Sequence, residues 1–471
     1  MPAKGTEADN LFLKRHPVLI IVCLGAFMGT LDSGVVYTSL PKIAQYFHSS
    51  LAQVSWVLVA YLLVNTSLLL VCGRLGDLIA PGRLYLFGLL GFTGASALCG
   101  LSPSLPWLVA SRALQGLGAA FLIALSPKLI VMVFEKKERG LPLGLLSASL
   151  AAGLCIGSPL GGIITTHLGW LYIFFLNIPL CVLGLIIGGG VLWRLPGGGV
   201  WNWKTINLGG GLILAGTLAA LFLIPTGIRD SGFKTFWALV ILGLGLGLVG
   251  MMFRLTRLQA ASFLPPELWR NRDFILGSLG VMLIAASFQG TFFLLPFFLE
   301  HIYHYTPYQS GCALMLLAVI GAIGAPVGGY LADQRGNLII LRIGAVLLWV
   351  GFGSLFLSGT ETTAVALGVK LSLIGLGYGL FVPANLNEVL RGPRPSLIGL
   401  AAGSMSLCKK IGALSGITLI VAVFAWVGQH HLLLHPGAYL KLDHFRLAFA
   451  AAALLGTVNL LIHLILRRSR G

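Results

Sequence analysis

Apolar runs of about 17 to 25 residues recur from near His16 to near Arg467, separated by short polar segments. A helix needs roughly 20 apolar residues to cross a bilayer core of about 30 Å. Inside lipid only helices and closed barrels satisfy their own backbone donors and acceptors. Unbroken runs of this length are helical, so the sequence predicts an all-α membrane protein. Fourteen spans are expected, at 17–39, 51–72, 84–101, 106–133, 142–165, 169–193, 206–226, 234–254, 275–299, 309–331, 338–358, 363–385, 397–427 and 446–466. Composition agrees: 57% of residues are hydrophobic and only 10% charged, against roughly a quarter charged in a soluble domain.

The leading segment MPAKGTEADNLFLKR is short and basic, and the run after it lacks a small-residue cleavage site. It reads as a retained first span rather than a removable signal. The formal charge of +17 invites a nucleic-acid reading, but the distribution of the bases argues against one. With loops assigned alternately to the two sides, most of the 31 Lys and Arg fall on one, in clusters such as EKKERG and RRSR. Only Lys42, Arg229, Lys234, Lys441 and Arg446 fall on the other. The positive-inside rule then places both termini in the cytoplasm of a multi-pass cell-membrane protein. The seven cysteines are isolated and form no CxxC pair, as expected of small packing residues.

GRLGD with Asp77 follows the second span, and GYLAD with Asp333 follows the tenth. If spans seven and eight are an inserted pair, the other twelve divide into two sixes with these motifs in the same place. That is an internal repeat, the usual build of a secondary transporter whose site lies near the midplane. The expected organisation is a six-helix bundle over 1–195, a linker with the inserted pair over 196–262, and a second bundle over 263–471. Amphipathic Gly/Pro-rich stretches, WRLPGGGVWNWKTIN and LTRLQAASFLPPELWRNRD, flank the insertion.

Four motifs together resemble the major facilitator superfamily, in particular its fourteen-span drug:proton antiporter branch, over nearly the whole chain. LDSGVVYTSLP is similar to that branch's first-span motif, and RALQGLGAA fits R-x-x-Q-G-x-G-x-A. Gly144, Gly153, Gly157, Gly161 and Gly162 meet the fifth-span pattern G-x8-G-x3-G-P-x-x-G-G, with Ser158 at the proline position and Pro159 next to it. GRLGDLIAPGR resembles the loop motif G-x-L-a-D-r-x-G-r-r, with Leu78 in place of an arginine and Ala80 of a glycine. The resemblance implies two pseudo-symmetric bundles in a 6 + 2 + 6 arrangement of helices. It also implies proton coupling by the first-span acid and fourth-span arginine, here Asp32 and Arg112. Asp77 and Asp333 read as gating elements, joined by Arg83, Gly157, Pro159 and Gly161.

A rise of about 1.5 Å per residue supplies depths independently of any family. Asp32 lies roughly 22 Å above the cytoplasmic face and Arg112 roughly 21 Å, so the two share a layer. Lys409 comes out at roughly 18 Å and Lys370 at roughly 20 Å. An ionised group at this depth costs several kcal/mol unless paired or reached by water. Three readings follow for Asp32: a proton carrier that Arg112 approaches and leaves, a permanent ion pair locking two helices, or a water-exposed acid without a role. Lys409, in SLCKKIGALSG, matches a family arginine position and is a candidate cavity residue beside Lys410, whereas Lys370 is near enough to the outer face to snorkel. One acid against two or three cations suits an anionic, zwitterionic or neutral amphiphile better than a multivalent cation. Tyr61, Asn65, Gln115, Phe288, Gln289, Phe292, Tyr378 and Asn385 are further cavity candidates, each also explicable as helix packing.

No G-x4-G-K-[ST] or H-E-x-x-H occurs, so neither ATP nor a catalytic zinc is indicated. GLGLGLVG imitates a nucleotide fingerprint but sits in an apolar run without a preceding strand. His430, His431, His435 and His444 read as solvated loop imidazoles rather than a metal set, and Glu300, His301 and His304 as an unremarkable helix end. The sequence thus points away from an enzyme. It predicts a monomeric antiporter in the bilayer that uses the proton gradient, without a cofactor, to export small amphiphilic compounds or drugs by alternating access. The alternative is an exporter or flippase of a lipid or an endogenous anionic metabolite on the same fold.

Overall fold

A computed structural model of the chain describes residues 5–135, 138–196, 268, 271–391, 394, 397–434 and 442–465. Among them, twelve helices are long and apolar enough to cross a membrane. They are α1 (Gly5–Tyr46), α2 (Leu51–Leu78), α3 (Pro81–Gly100), α4 (Leu105–Val133), α5 (Gly140–His167), α6 (Tyr172–Trp193), α7 (Arg272–Ile302), α8 (Pro307–Arg335), α9 (Asn337–Phe356), α10 (Ala364–Leu390), α11 (Ile398–Leu434) and α12 (Leu442–Ile465). The expected inserted pair at 206–226 and 234–254, with most of its linker, lies outside the described residues.

Several helices outrun their apolar cores. α1 continues through Pro17 and Pro41, and α5 through the displaced Pro159, so none of these prolines ends its helix. Neighbouring helices in a membrane bundle can satisfy the carbonyl each proline leaves without a donor. The sixth span departs from a single smooth helix. It is Tyr172–Phe175, then Asn177–Gly184, then a π turn over Leu185–Gly189 and a last turn to Trp193. Such a bulge inserts one residue and rotates what precedes it.

The described chain forms two compact units, one of α1–α6 without residues 49–55, the other of α7–α12 with residues 49–55. The polarity of both is inverted relative to a soluble protein. Ile186, Val365 and Leu454 point outward at 65–78% exposure, while Asp32, Arg112, Gln115, Asn177, Asn459 and His463 are fully buried. Lipid is the solvent that rewards this arrangement.

The turns repeat. α1 is followed by His48 with φ +48°, and Ser50 and Gln53 exchange side-chain and backbone hydrogen bonds at the start of α2. α7 is followed by His304 with φ +54°, and Thr306 and Gln309 form the same capping box at the start of α8. The Asp77 and Asp333 motifs close the ends of α2 and α8. Glycines set the helix spacing: a Cβ on Gly157 would lie 2.6 Å from the Leu31 carbonyl, and one on Gly161 2.5 Å from the Val35 Cα. α1 and α5 therefore meet backbone to backbone. Gly412 and Gly416 of α11 meet the backbone of Met282 and Ala286 on α7 in the same manner. Small residues permit this approach, and dispersion then holds the helices together where no hydrophobic force acts between them.

Candidate functional site

Asp32 and Arg112 form an ion pair at 2.6 Å with both side chains at 0% exposure. The sequence-based depths place them in one layer, and the close α1–α4 packing brings them into contact. The carboxylate has three donors: Arg112 Nη1 to Oδ2, and Gln115 Nε2 (2.9 Å) and Asn177 Nδ2 (3.0 Å) to Oδ1. Arg112 Nη1 also reaches Gln115 Oε1 at 2.5 Å, and Nε donates to the Val57 carbonyl at 3.0 Å. Its guanidinium lies 4.4 Å from the Tyr61 ring centroid and 5.9 Å from that of Phe174. Charge, hydrogen bonds and aromatic faces together offset the cost of burying two ions, which a bare pair would not do. Two polar atoms of the cluster, Arg112 Nη2 and Asn177 Oδ1, are buried without a hydrogen-bond partner among the described residues.

Gln115, a cavity candidate from sequence, thus belongs to the ion-pair cluster, and Tyr61 lies against the guanidinium. Asn65 is buried on the same helix as Tyr61. Asn177 is the residue that sequence reasoning missed. Its Nδ2 joins Asp32 to Ser96 Oγ (2.8 Å), which donates in turn to the Phe174 carbonyl at 2.8 Å. The signal available was a lone asparagine in an apolar run, in LNIPL, which carries the same desolvation cost as any unpaired polar group.

In the second unit Phe288 stacks on Tyr378, with centroids 4.1 Å apart and planes at 24°, and Phe292 lies 5.9 Å from Phe288. Lys409 Nζ is 5.4 Å from the Tyr378 centroid. Gln289 and Lys410 are partly exposed on the same two helices as Phe288 and Lys409. Asn385 is elsewhere engaged, donating to the Gly277 carbonyl at 2.9 Å and tying α10 to α7. Lys370 donates to Ser358 Oγ at 2.8 Å, just beyond the end of α9.

Of the gating candidates, Gly157 and Gly161 are the α1–α5 seam, and Pro159 lies between them. Asp333 is exposed at the end of α8. The Asp77 side chain lies outside the described residues. Beside it Lys128 donates to the Gly76 carbonyl. Arg83 packs on Trp193, 5.2 Å from the ring, and its Nε reaches the Trp193 carbonyl at 3.4 Å. A further charged contact joins Arg15 to Glu138 (2.9 Å) and Glu135 (3.3 Å). All seven cysteines are free. His444 corrects an expectation: it is 3% exposed and edge-on to Phe424 at 5.6 Å, because α12 already begins at Leu442 and turns it inward. The side chains of His430, His431 and His435 lie outside the described residues.

The fold and the buried pair define a multi-pass helical membrane protein built around a charged cluster rather than an enzyme pocket. The chain belongs to the Major Facilitator Superfamily, whose family model matches residues 22–202 and 254–417. Curated relatives include the riboflavin transporter of Clostridioides difficile, 30% identical over 87% of this chain and 88% of that one. The tetracenomycin C resistance and export protein of Streptomyces glaucescens is 27% identical over 89% and 75%. The methylenomycin A resistance protein of Bacillus subtilis is 28% identical over 89% and 90%. Among solved structures, a bacterial homolog of the human lysosomal transporter Spinster, inward-facing and unoccupied, matches with TM-score 0.69 at 15% identity, covering 96% of each chain. The protein is therefore a transporter among relatives named for drug and antibiotic resistance.

Proposed function

We propose that this transporter is a proton-coupled antiporter that exports small amphiphilic compounds by alternating access, with Asp32 as the proton carrier and Arg112 as its partner. The observation that carries the reading is the Asp32–Arg112 pair, wholly buried and held by hydrogen-bond donors from two further side chains. The guanidinium at 2.6 Å supplies the carboxylate's counter-charge; a conformation that withdraws Arg112 would remove it, and as the carrier Asp32 would then take a proton in its place. Coupling requires that alternation. Names of the relatives support a small-molecule substrate, and the distribution of bases supports cytoplasmic termini. On this reading the chain acts as a monomer of two six-helix bundles, over 1–195 and 263–471, joined by the linker 196–262.

The test is reconstitution into proteoliposomes with an imposed proton gradient and a panel of amphiphiles. Asp32→Asn should abolish proton-driven accumulation while leaving downhill exchange of the same compound. Intact proton-driven accumulation by a folded Asp32→Asn protein rules out the carrier role. A second reading, transport of an endogenous anionic metabolite, draws support from the riboflavin transporter among the relatives. Flux of a metabolite but of no drug in the same panel would favour it.

A further inference from the structure

The internal repeat indicates what the second unit holds where the first holds its ion pair. Phe288 stands as far before His304 as Asp32 before His48, and these histidines occupy the same capped turn. Glycine contacts extend the correspondence. Gly116 meets the Tyr61 backbone as Gly375 meets Leu317, and Gly118 meets Gly88 and Phe92 as Gly377 meets Gly344 and Leu348. In that register Arg112 and Gln115 correspond to Leu371 and Ile374. The buried acid, base and amide of one half are thus replaced by an aromatic and two aliphatics in the other.

The aromatic is not simply core. Phe288 and Tyr378 are both partly exposed, and so is Lys409, one turn before the α7–α11 glycine seam. Among the described residues Lys409 has no carboxylate partner, and its Nζ lies over the Tyr378 ring. The acids of α7 and α10 lie in their first or last turns, at Asp273, Glu300 and Glu388, and α11 has none. Asp32, deep in the other unit, is fully occupied by its three donors. An ammonium within the membrane layer that rests against a ring retains much of its desolvation cost, which an anion relieves better than a π face does. Two stacked, partly exposed rings favour a flat conjugated partner, since offset stacking rewards planarity.

We infer that Phe288, Tyr378 and Lys409 form a subsite for a planar aromatic compound bearing an anionic group, its ring on the Phe288–Tyr378 stack and its anion at Lys409 Nζ. The assignment rests on the transporter reading above and narrows its substrate class. It also divides the labour of the fold: the first unit holds the proton-coupling pair, and the second holds the substrate.

Binding to the full-length protein in detergent tests it, with fluorescein as the planar anion and rhodamine 6G as a cation on the same ring system, read by fluorescence anisotropy. The wild-type protein is expected to bind fluorescein about tenfold tighter than rhodamine 6G or better, one charge-assisted contact's worth. Lys409→Gln should erase that preference, Lys409→Arg should keep it to within about threefold, and Phe288→Ala should weaken both dyes. Equal or tighter binding of the cation by the wild type overturns the inference, and that comparison needs no variant. So does a Lys409→Gln protein that keeps its fluorescein affinity. Proton-coupled flux of an uncharged amphiphile is measured in parallel. Its absence with dye selectivity intact sinks the antiport reading alone, and its presence without selectivity sinks the subsite alone.

Discussion

Removing the charge of Asp32 tests whether the buried pair is held as described. In Asp32→Asn the side chain keeps its shape and an acceptor oxygen, so the donors from Gln115 and Asn177 are still received. What is lost is the counter-charge of a guanidinium at 0% exposure that cannot give up its proton. Leaving one member of a buried pair uncompensated costs about 3–5 kcal/mol. The remaining contacts of Arg112, to Gln115 Oε1, the Val57 carbonyl and the Tyr61 ring, are already made in the wild type and offset none of that loss. Arg112→Gln should cost less, because an isolated carboxyl can take up a proton and become neutral. The double variant Asp32→Asn/Arg112→Gln carries no buried charge. It should be no less stable than Asp32→Asn alone, a coupling of about 3 kcal/mol between the two sites. Equilibrium unfolding in mixed dodecyl maltoside and SDS micelles, followed by tryptophan fluorescence, measures all four proteins. An Asp32→Asn protein within about 1 kcal/mol of wild type, or a double variant whose loss equals the sum of the singles, refutes the reasoning.

Further substitutions separate seam, cluster and surface. Gly157→Val places a side chain against the Leu31 backbone and should cost about 3 kcal/mol or more in the same unfolding assay, whereas Gly144→Ala, with nothing within 4 Å of its Cβ, should be neutral or slightly stabilising. Asn177→Ala removes a donor from Asp32 and from Ser96 and should destabilise by about 1–3 kcal/mol, and equal stability to wild type would remove Asn177 from the cluster. Lys370→Met loses one partly exposed hydrogen bond to Ser358, and proteoliposome flux should be unchanged; a large loss of flux would place Lys370 in the substrate path.

Much of the transmembrane framework was legible because lipid forces each span to satisfy its own backbone, so that hydropathy and length suffice to find it. Gly153, Gly157 and Gly161 of the fifth span were legible through the family motif they resemble, and in the structure these three, four residues apart, make the α1–α5 seam. Asn177 was not legible as part of the site. Nothing in its neighbourhood names Asp32, 145 residues away, and the break and π turn in α6 that surround it follow from packing rather than from a local signal. Gln115 lies one turn after Arg112, and its spacing is as compatible with a cavity wall as with the pair it actually braces.

By itself, the sequence determined twelve segments that are apolar helices of membrane-crossing length, that Asp32 and Arg112 lie at one depth, and that two halves repeat. These depend on local periodicity, on the fixed rise of a helix and on the high cost of polar groups in hydrocarbon. Only the tertiary structure decided which donors surround the acid, that Phe288 and Tyr378 stack beside Lys409, and that Asn385 is a tie between helices. Those outcomes depend on how each helix is rotated about its axis, and that rotation is set by side-chain contacts between segments far apart in the chain.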